Sequence, residues 1–339
     1  MTYRVALVGA GNMGRAHASQ WPQVSGAKMV GVLDCSMEKS KAVADIHGAA
    51  AYEFDEFDAM VRETKPDIID ICTPTPAHRP YVERAAAAGI AVFCEKPLAR
   101  TLADCDAVVA CVERTGIPFM AGHVLRYFPE YSSAKRLIDS GAIGKPAAVR
   151  MARMAGMPDP NKSIAESWYK DPGQSGGVLL DMIIHDFDWL RYTFGPVSRV
   201  FAKGVYTNPK YAGTLDYSLV TLRFESGVVA HVTGSWAHPG GFHTSFEIVG
   251  DAGMIEHDNA RSAALTVALR GTGMNTGVVV PESPQIPEEN PYYMELQAFV
   301  DALKEGRKPP IDVYDAYEAT RIAIAALTSI ETGKVIKFQ

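Results

Sequence analysis

The chain of 339 residues has the length of about two ordinary domains, and 47% hydrophobic with 21% charged residues excludes disorder and fibrous repeats. Thirty-three Lys and Arg against thirty-nine Asp and Glu give a net charge of −6, so there is no general attraction for nucleic acid or anionic lipid. No apolar run reaches the ~18 residues of a membrane span, and Met1 to Val5 enters a strand-like segment without a signal-peptide core. The expectation is a cytoplasmic protein that acts on a small molecule, with no membrane and no nucleic-acid partner.

Five cysteines, Cys35, Cys72, Cys94, Cys105 and Cys111, form no C-x-x-C pair, which argues against a disulfide framework or a zinc knuckle. Cys35, Cys72 and Cys94 each end an apolar run and read as small buried residues.

Residues 1–122 alternate short apolar runs with longer helical patterns, the signature of βαβ units in a doubly wound parallel sheet of Rossmann type. Arg4 to Val8, Lys28 to Leu33, Asp67 to Cys72, Ile90 to Cys94 and Pro118 to Ala121 are the expected strands. Ser36 to His47, Ala77 to Ala88 and Leu102 to Glu113 are the helices between them. From residue 123 to 339 the pattern becomes that of an α+β domain with a large, mostly antiparallel sheet. A helix over Pro129 to Ser140 precedes strand-like Ala147 to Ala155, Val197 to Tyr206, Ser218 to Phe224, Val228 to Ser235, Thr244 to Val249 and Ala264 to Leu269. Helices near Leu179 to Phe194, Tyr292 to Lys304 and Val313 to Thr332 are expected to cover one face of that sheet, and Gly271 to Asn290 reads as a long loop.

Gly9-Ala10-Gly11-Asn12-Met13-Gly14 follows the first strand and opens a helix. Gly9 permits the tight turn, Gly11 and the N–H groups of Asn12 and Met13 face a pyrophosphate, and Gly14 lets helix and strand pack closely. Asp34 ends the next strand twenty residues after Gly14, the spacing of an acid that bonds ribose hydroxyls. A carboxylate there disfavours a 2′-phosphate, and Cys35 and Ser36 follow it where an Arg would cradle one, so NAD is expected over NADP. The other reading of Asp34 is a cap on the following helix.

The buried run Ile90 to Cys94 leads directly into Glu95, Lys96 and Pro97, at a strand's carboxyl end where ligands bind. The segment alone also admits a solvated lysine beside a loop proline. Further on, Asp181 and His185 are four apart in an apolar helical pattern after Gly176-Gly177, which places an acid and an imidazole on one side of a helix.

These features together resemble the Gfo/Idh/MocA oxidoreductases over essentially the whole chain, and the run Asp181 to Asp188 is most similar to the inositol-dehydrogenase-like members. The resemblance implies a nicotinamide bound to the N-terminal domain, with catalysis by the residues matching Lys96, Asp181 and His185. It also implies that the loop Thr73 to His78, including Pro74, lies along the cofactor, that Glu95 contacts it near the nicotinamide, and that sugars or cyclic polyols are substrates. Homodimers or homotetramers through the C-terminal sheet are a further implication. Position 183, often Gly or Ala in the family, is Ile here.

Oxidation of a secondary alcohol needs a base for the hydroxyl proton and an acceptor for the hydride. His185 is the natural base, oriented by Asp181, while Lys96 stabilises the developing alkoxide; the reverse assignment, Lys96 as base, is the alternative. Arg126 is a candidate for substrate hydroxyls or for an ion pair. Trp168, Tyr169, Tyr292 and Tyr293 are candidates for sugar stacking or for packing. His231, His238 and His243 lack a repeated ligand spacing, so no metal site is expected. Rival functions are a glycosidase that oxidises transiently with bound NAD, and a dinucleotide-binding sensor.

Overall fold

The computed structural model describes residues 2–157, 171–207, 214–261, 265–270, 277–282 and 290–338. The chain forms two compact units: residues 1–124 with 289–318, and residues 125–288 with 319–339.

The first unit holds a six-stranded sheet in the order β3-β2-β1-β4-β5-β6. Its strands are β1 (Tyr3–Val8), β2 (Ala27–Asp34), β3 (Ala50–Glu53), β4 (Ile68–Ile71), β5 (Ala91–Glu95) and β6 (Phe119–Gly122). Every pairing is parallel. β4 and β5 are buried along their whole lengths, which is why they read as unbroken apolar runs. The strand order reverses between β1 and β4, and ligands of such sheets bind outside the carboxyl ends at that switch point. The crossovers carry α1 (Asn12–Gln20), α2 (Met37–His47), α3 (Phe57–Thr64), α4 (His78–Ala87) and α5 (Leu102–Thr115). β3 and α3 lie in a stretch for which the sequence reading assigned no element, because AAYE offers no apolar run.

The second unit contains α6 (Pro129–Asp139), α7 (Pro172–Ser175), α8 (Gly177–Asp181) and α9 (Ile184–Phe194). Its sheet has nine strands in the order β14-β13-β12-β11-β7-β10-β9-β8-β15. They are β7 (Pro146–Met154), β8 (Val197–Val205), β9 (Tyr217–Phe224), β10 (Val229–Ser235), β11 (His243–Gly250), β12 (Gly253–Asp258), β13 (Leu265–Arg270), β14 (Gly277–Glu282) and β15 (Ile336–Lys337). All neighbours are antiparallel except β7 and β10, which run parallel. Burial alternates residue by residue along β9 and β11, so one face of the sheet carries the core. Leu179, Ile183, Phe187, Trp189 and Leu190 pack on that face with Val220, Leu222, Val232, Phe246 and Ile248, beside Ile322 and Ala326.

Four expectations are corrected. The single helix over Leu179 to Phe194 is two helices, because the Ile183 N–H reaches back to the Val178 carbonyl at 3.0 Å and the turn widens between α8 and α9. The helix expected over Tyr292 to Lys304, α10 (Pro291–Glu305), belongs to the first unit, where it packs on α1 and sets Phe299 edge-on against Phe93 with ring centres 5.8 Å apart. Within the run read as a loop, Gly277 to Glu282 pairs with β13 as a strand; residues 271–276 and 283–289 lie outside the described residues. Cys35 is exposed, because it follows the end of β2, whereas Cys72 and Cys94 are buried as expected. The last helix, α11 (Val313–Thr332), starts in the first unit and finishes in the second. Among the described residues no helix is long and apolar enough to cross a membrane.

Candidate active site and cofactor cradle

At the end of β1, Gly9 has φ +99°, and a Cβ there would lie 2.7 Å from the backbone of Cys72. A Cβ on Gly14 would lie 1.8 Å from the Gly9 carbonyl oxygen, so α1 can approach the turn this closely only through glycine. Gly11 differs: it caps α1, and a Cβ there would meet nothing within 4 Å. Its bare backbone opens on free space at a helix N-terminus whose first turn, with Asn12 and Met13, carries no acid. Such a terminus attracts an anion.

The Asp34 carboxylate accepts from the Ala10 N–H at 2.7 Å and from the Ser36 N–H at 3.0 Å. It therefore ties the glycine turn to the end of β2. The cap on α2 is Ser36, which accepts from the Lys39 N–H, so Asp34 is not the capping residue.

After β4, the Thr73 hydroxyl is buried without a hydrogen-bond partner among the described residues, a polar atom that a ligand at this edge would satisfy. Pro74 leads into a single turn, Thr75–Ala77. His78 is 1% exposed, with Nδ1 2.8 Å from the Pro97 carbonyl and Nε2 2.9 Å from the Thr73 carbonyl. It clamps the loops after β4 and β5 together. Burial pushes its pKa below the ordinary histidine value, so the neutral ring donates to one carbonyl at a time.

Glu95 points inward. Its Oε1 lies 3.1 Å from His17 Nε2, and its Oε2 accepts from the Lys96 N–H at 3.1 Å. Burial raises its pKa, but His17 and Lys96 outweigh burial and hold it below the usual carboxylate range. Lys96 itself is half-buried, at a cis Lys96-Pro97 bond. His17 Nδ1 is 3.1 Å from both oxygens of Asp70, which also accepts from Trp21 Nε1 at 2.8 Å. Sequence reasoning missed His17, Asp70 and their α10 neighbour Glu295. An acid in the otherwise apolar strand Ile68-Ile69-Asp70-Ile71 was the available signal, since a buried charge requires a partner.

In the second unit, Asp181 ends α8 and His185 lies in the first turn of α9. Both are half-buried, whereas Leu180, Met182, Ile183 and Ile184 around them are buried. The two acids that follow are each held by an arginine. Asp186 accepts from Arg153 Nε at 2.7 Å and from a second guanidinium nitrogen at 3.0 Å, with side chains 0% and 6% exposed. Asp188 is bound in the same two-pronged way by Arg126, at 2.8 and 2.6 Å. Arg126 thus makes a buried ion pair within the second unit, and its guanidinium also lies 4.4 Å from the centre of the Tyr192 ring. Together these pairs fix the helix that carries His185. Arg153 had no sequence signal of its own.

Tyr293 lies on α10 in the first unit, half-buried, with its hydroxyl 3.5 Å from Gln297 Oε1. Trp168 and Tyr169 fall outside the described residues. The chain's proposed site residues thus divide between the units: the glycine turn, Asp34, the Thr73 to His78 loop, Glu95, Lys96 and Tyr293 in the first, and Asp181, His185 and Arg126 in the second.

A parallel sheet with this glycine turn and switch point defines a dinucleotide-binding domain, and residues 3–123 match the family model for the oxidoreductase family with an NAD-binding Rossmann fold. Residues 131–256 match the GFO/IDH/MocA C-terminal domain, and the chain belongs to the Gfo/Idh/MocA family of NAD-dependent oxidoreductases. It is 31% identical to scyllo-inositol 2-dehydrogenase (NAD(+)) of Bacillus subtilis, over 98% of this chain and 96% of that one. Among solved structures it is similar to myo-inositol 2-dehydrogenase from Lactobacillus plantarum, at 26% identity with a TM-score of 0.84, over 100% of both chains. It is also similar to the aldose-aldose oxidoreductase from Caulobacter crescentus, at 25% identity with a TM-score of 0.87, again over 100% of both chains.

Proposed function

We propose that this oxidoreductase interconverts a secondary alcohol of a cyclic polyol or sugar with the corresponding ketone, using NAD. The observation that carries the reading is the pair of half-buried groups, Asp181 and His185, among buried apolar neighbours, with Asp186 and Asp188 of the same helix as His185 each held by an arginine. The substrate class is supported by the inositol and aldose oxidoreductases to which the chain is similar.

The open backbone at Gly11, the acid-free first turn of α1 and the unpartnered Thr73 hydroxyl fit a dinucleotide, with Asp34 as the ribose partner. NAD supplies the hydride acceptor when bound. His185 takes the hydroxyl proton at an imidazole nitrogen, imidazole being the side chain suited to proton transfer at physiological pH. Asp181 orients that ring and stabilises its charged form. Lys96 places an ammonium against the developing alkoxide.

The test is a screen of inositols, aldoses and their acid derivatives with NAD, read by absorbance of the reduced cofactor. Turnover on a polyol or sugar that falls about 10²-fold or more in His185→Ala and in Lys96→Ala, with NAD still bound, is the expected outcome. Sugar release without net NADH points instead to a hydrolase. Near-normal kcat in either variant overturns the assigned roles.

A further inference from the structure

The first unit gathers four ionisable side chains behind the carboxyl end of β5. His17, Asp70 and Glu295 are 0% exposed and Glu95 is 5% exposed. They come from α1, β4, α10 and β5. Cys72, Trp21, Tyr292 and the backbone of Lys96 complete the surroundings. A ring nitrogen of His17, one oxygen of Glu95 and one of Glu295 lie within 4.8 Å of one another. Yet neither Glu295 oxygen has a hydrogen-bond partner among the described residues.

An ionised carboxylate in that position is an uncompensated buried charge, which proteins avoid by protonation or by binding a cation. The donor set has the outline of a metal site, with Asp70 behind the imidazole and two glutamates before it. The imidazole argues for the proton. Nδ1 faces Asp70 and Nε2 faces Glu95, each at 3.1 Å, and both partners are acceptors. A ring that donates from both nitrogens has no lone pair for a metal.

We propose that His17 and Glu295 are positioning residues for Lys96 that act through Glu95. Glu295, as a neutral acid, leaves the His17 imidazolium to Asp70 and Glu95, so that Glu95 Oε2 stays on the Lys96 amide. The proposal rests on the assignment of Lys96 to the reaction. Burial pushes the Glu295 pKa well above the carboxylate range and the Glu95 charge adds to this, against the opposing pull of His17. Ionised, Glu295 becomes a second carboxylate competing for the same ring, and Glu95 loses its hold on Lys96.

The experiment compares wild type, Glu295→Gln, His17→Asn and Lys96→Ala, reading NAD binding, kcat against pH, urea stability against pH and bound metal. In Glu295→Gln, which keeps a neutral side chain at all pH values, the alkaline fall of kcat moves up by about one pH unit or disappears. The fall in stability above the ordinary Glu range becomes shallower. His17→Asn lowers kcat by about tenfold or more, with NAD Kd within about threefold. Wild-type pH profiles for both kcat and stability in Glu295→Gln overturn the proposal. So does a kcat within about threefold of wild type in folded His17→Asn, or one equivalent of metal in the wild type that Glu295→Gln loses. Full turnover by Lys96→Ala defeats the catalytic assignment instead, while the stability profile of Glu295→Gln still reports the proton.

Discussion

Ile183 fills the space that Gly234 leaves on β10: a Cβ on Gly234 would stand 2.7 Å from Ile183 Cγ2 and 3.1 Å from the Ser218 hydroxyl. The large residue at position 183 is thus met by a missing side chain on the sheet. Gly234→Ala is expected to destabilise the protein by ~1–3 kcal/mol through overpacking. Ile183→Ala removes a fully buried side chain and is expected to cost ~2–5 kcal/mol. Chemical denaturation of both singles and of the double variant provides the check. The pair should cost less together than the sum, because the alanine at 183 relieves the clash.

The Arg153–Asp186 pair is buried on both sides, with Asp186 pushed above the carboxylate range by burial and pulled back in part by Arg153. Arg153→Ala leaves that carboxylate without its charge partner and is expected to lower stability by ~3–5 kcal/mol. Since Asp186 is the neighbour of His185 in α9, kcat should fall as well. Restored stability and kcat in Arg153→Lys would point to charge alone, whereas partial rescue is expected because lysine cannot reproduce the two-pronged contact.

The His17 ring is disfavoured as a cation by burial, but Cys72 and Asp70 beside it outweigh that and raise its pKa well above the ordinary value. Between the unfolded and folded values the native state holds a proton that the unfolded chain has lost. This contribution to stability is complete below the unfolded value near 6.5 and disappears as pH rises through the folded one. Thermal melting should therefore decline on the alkaline side. His17→Asn should be less stable at pH 6 but decline less steeply, and an unchanged slope in that variant would contradict the ring's role.

Asp34 joins the Ala10 and Ser36 N–H groups at the edge where the adenosine ribose is expected. Asp34→Ala should weaken NAD more than NADP and so narrow the ratio of their Kd values by about tenfold. Titration by fluorescence of the reduced cofactors measures it directly. Tighter binding of NADP than NAD by the unaltered protein would reverse the reading of this carboxylate.

Much of this organisation is legible before any coordinates. Buried parallel strands announce themselves as apolar runs, and the glycine turn and Asp34 follow from spacing. The misses share a cause, which is that tertiary partners decide them. β3 has only Tyr52 buried among its four residues, and so lacks the pattern that marks a strand. α10 carries Leu296, Phe299 and Val300 on a buried face, but periodicity does not say which unit that face meets. The helix break after Asp181 falls where Ile183 seats against Gly234, a contact some fifty residues away in sequence. His17 and Glu295 were invisible for a similar reason: each looks like an ordinary helical polar residue until the strands between them are placed.

The cofactor-binding unit is stitched from two stretches of chain, residues 1–124 and 289–318, with everything between them belonging elsewhere. A ribosome therefore releases the glycine turn long before it releases α10, the element that shields Phe93 and delivers Glu295. Until then the half-made sheet shows an apolar flank to the cell. Completion of this unit therefore waits for residues 289–318, and a chain cut before them lacks the helix that covers Phe93.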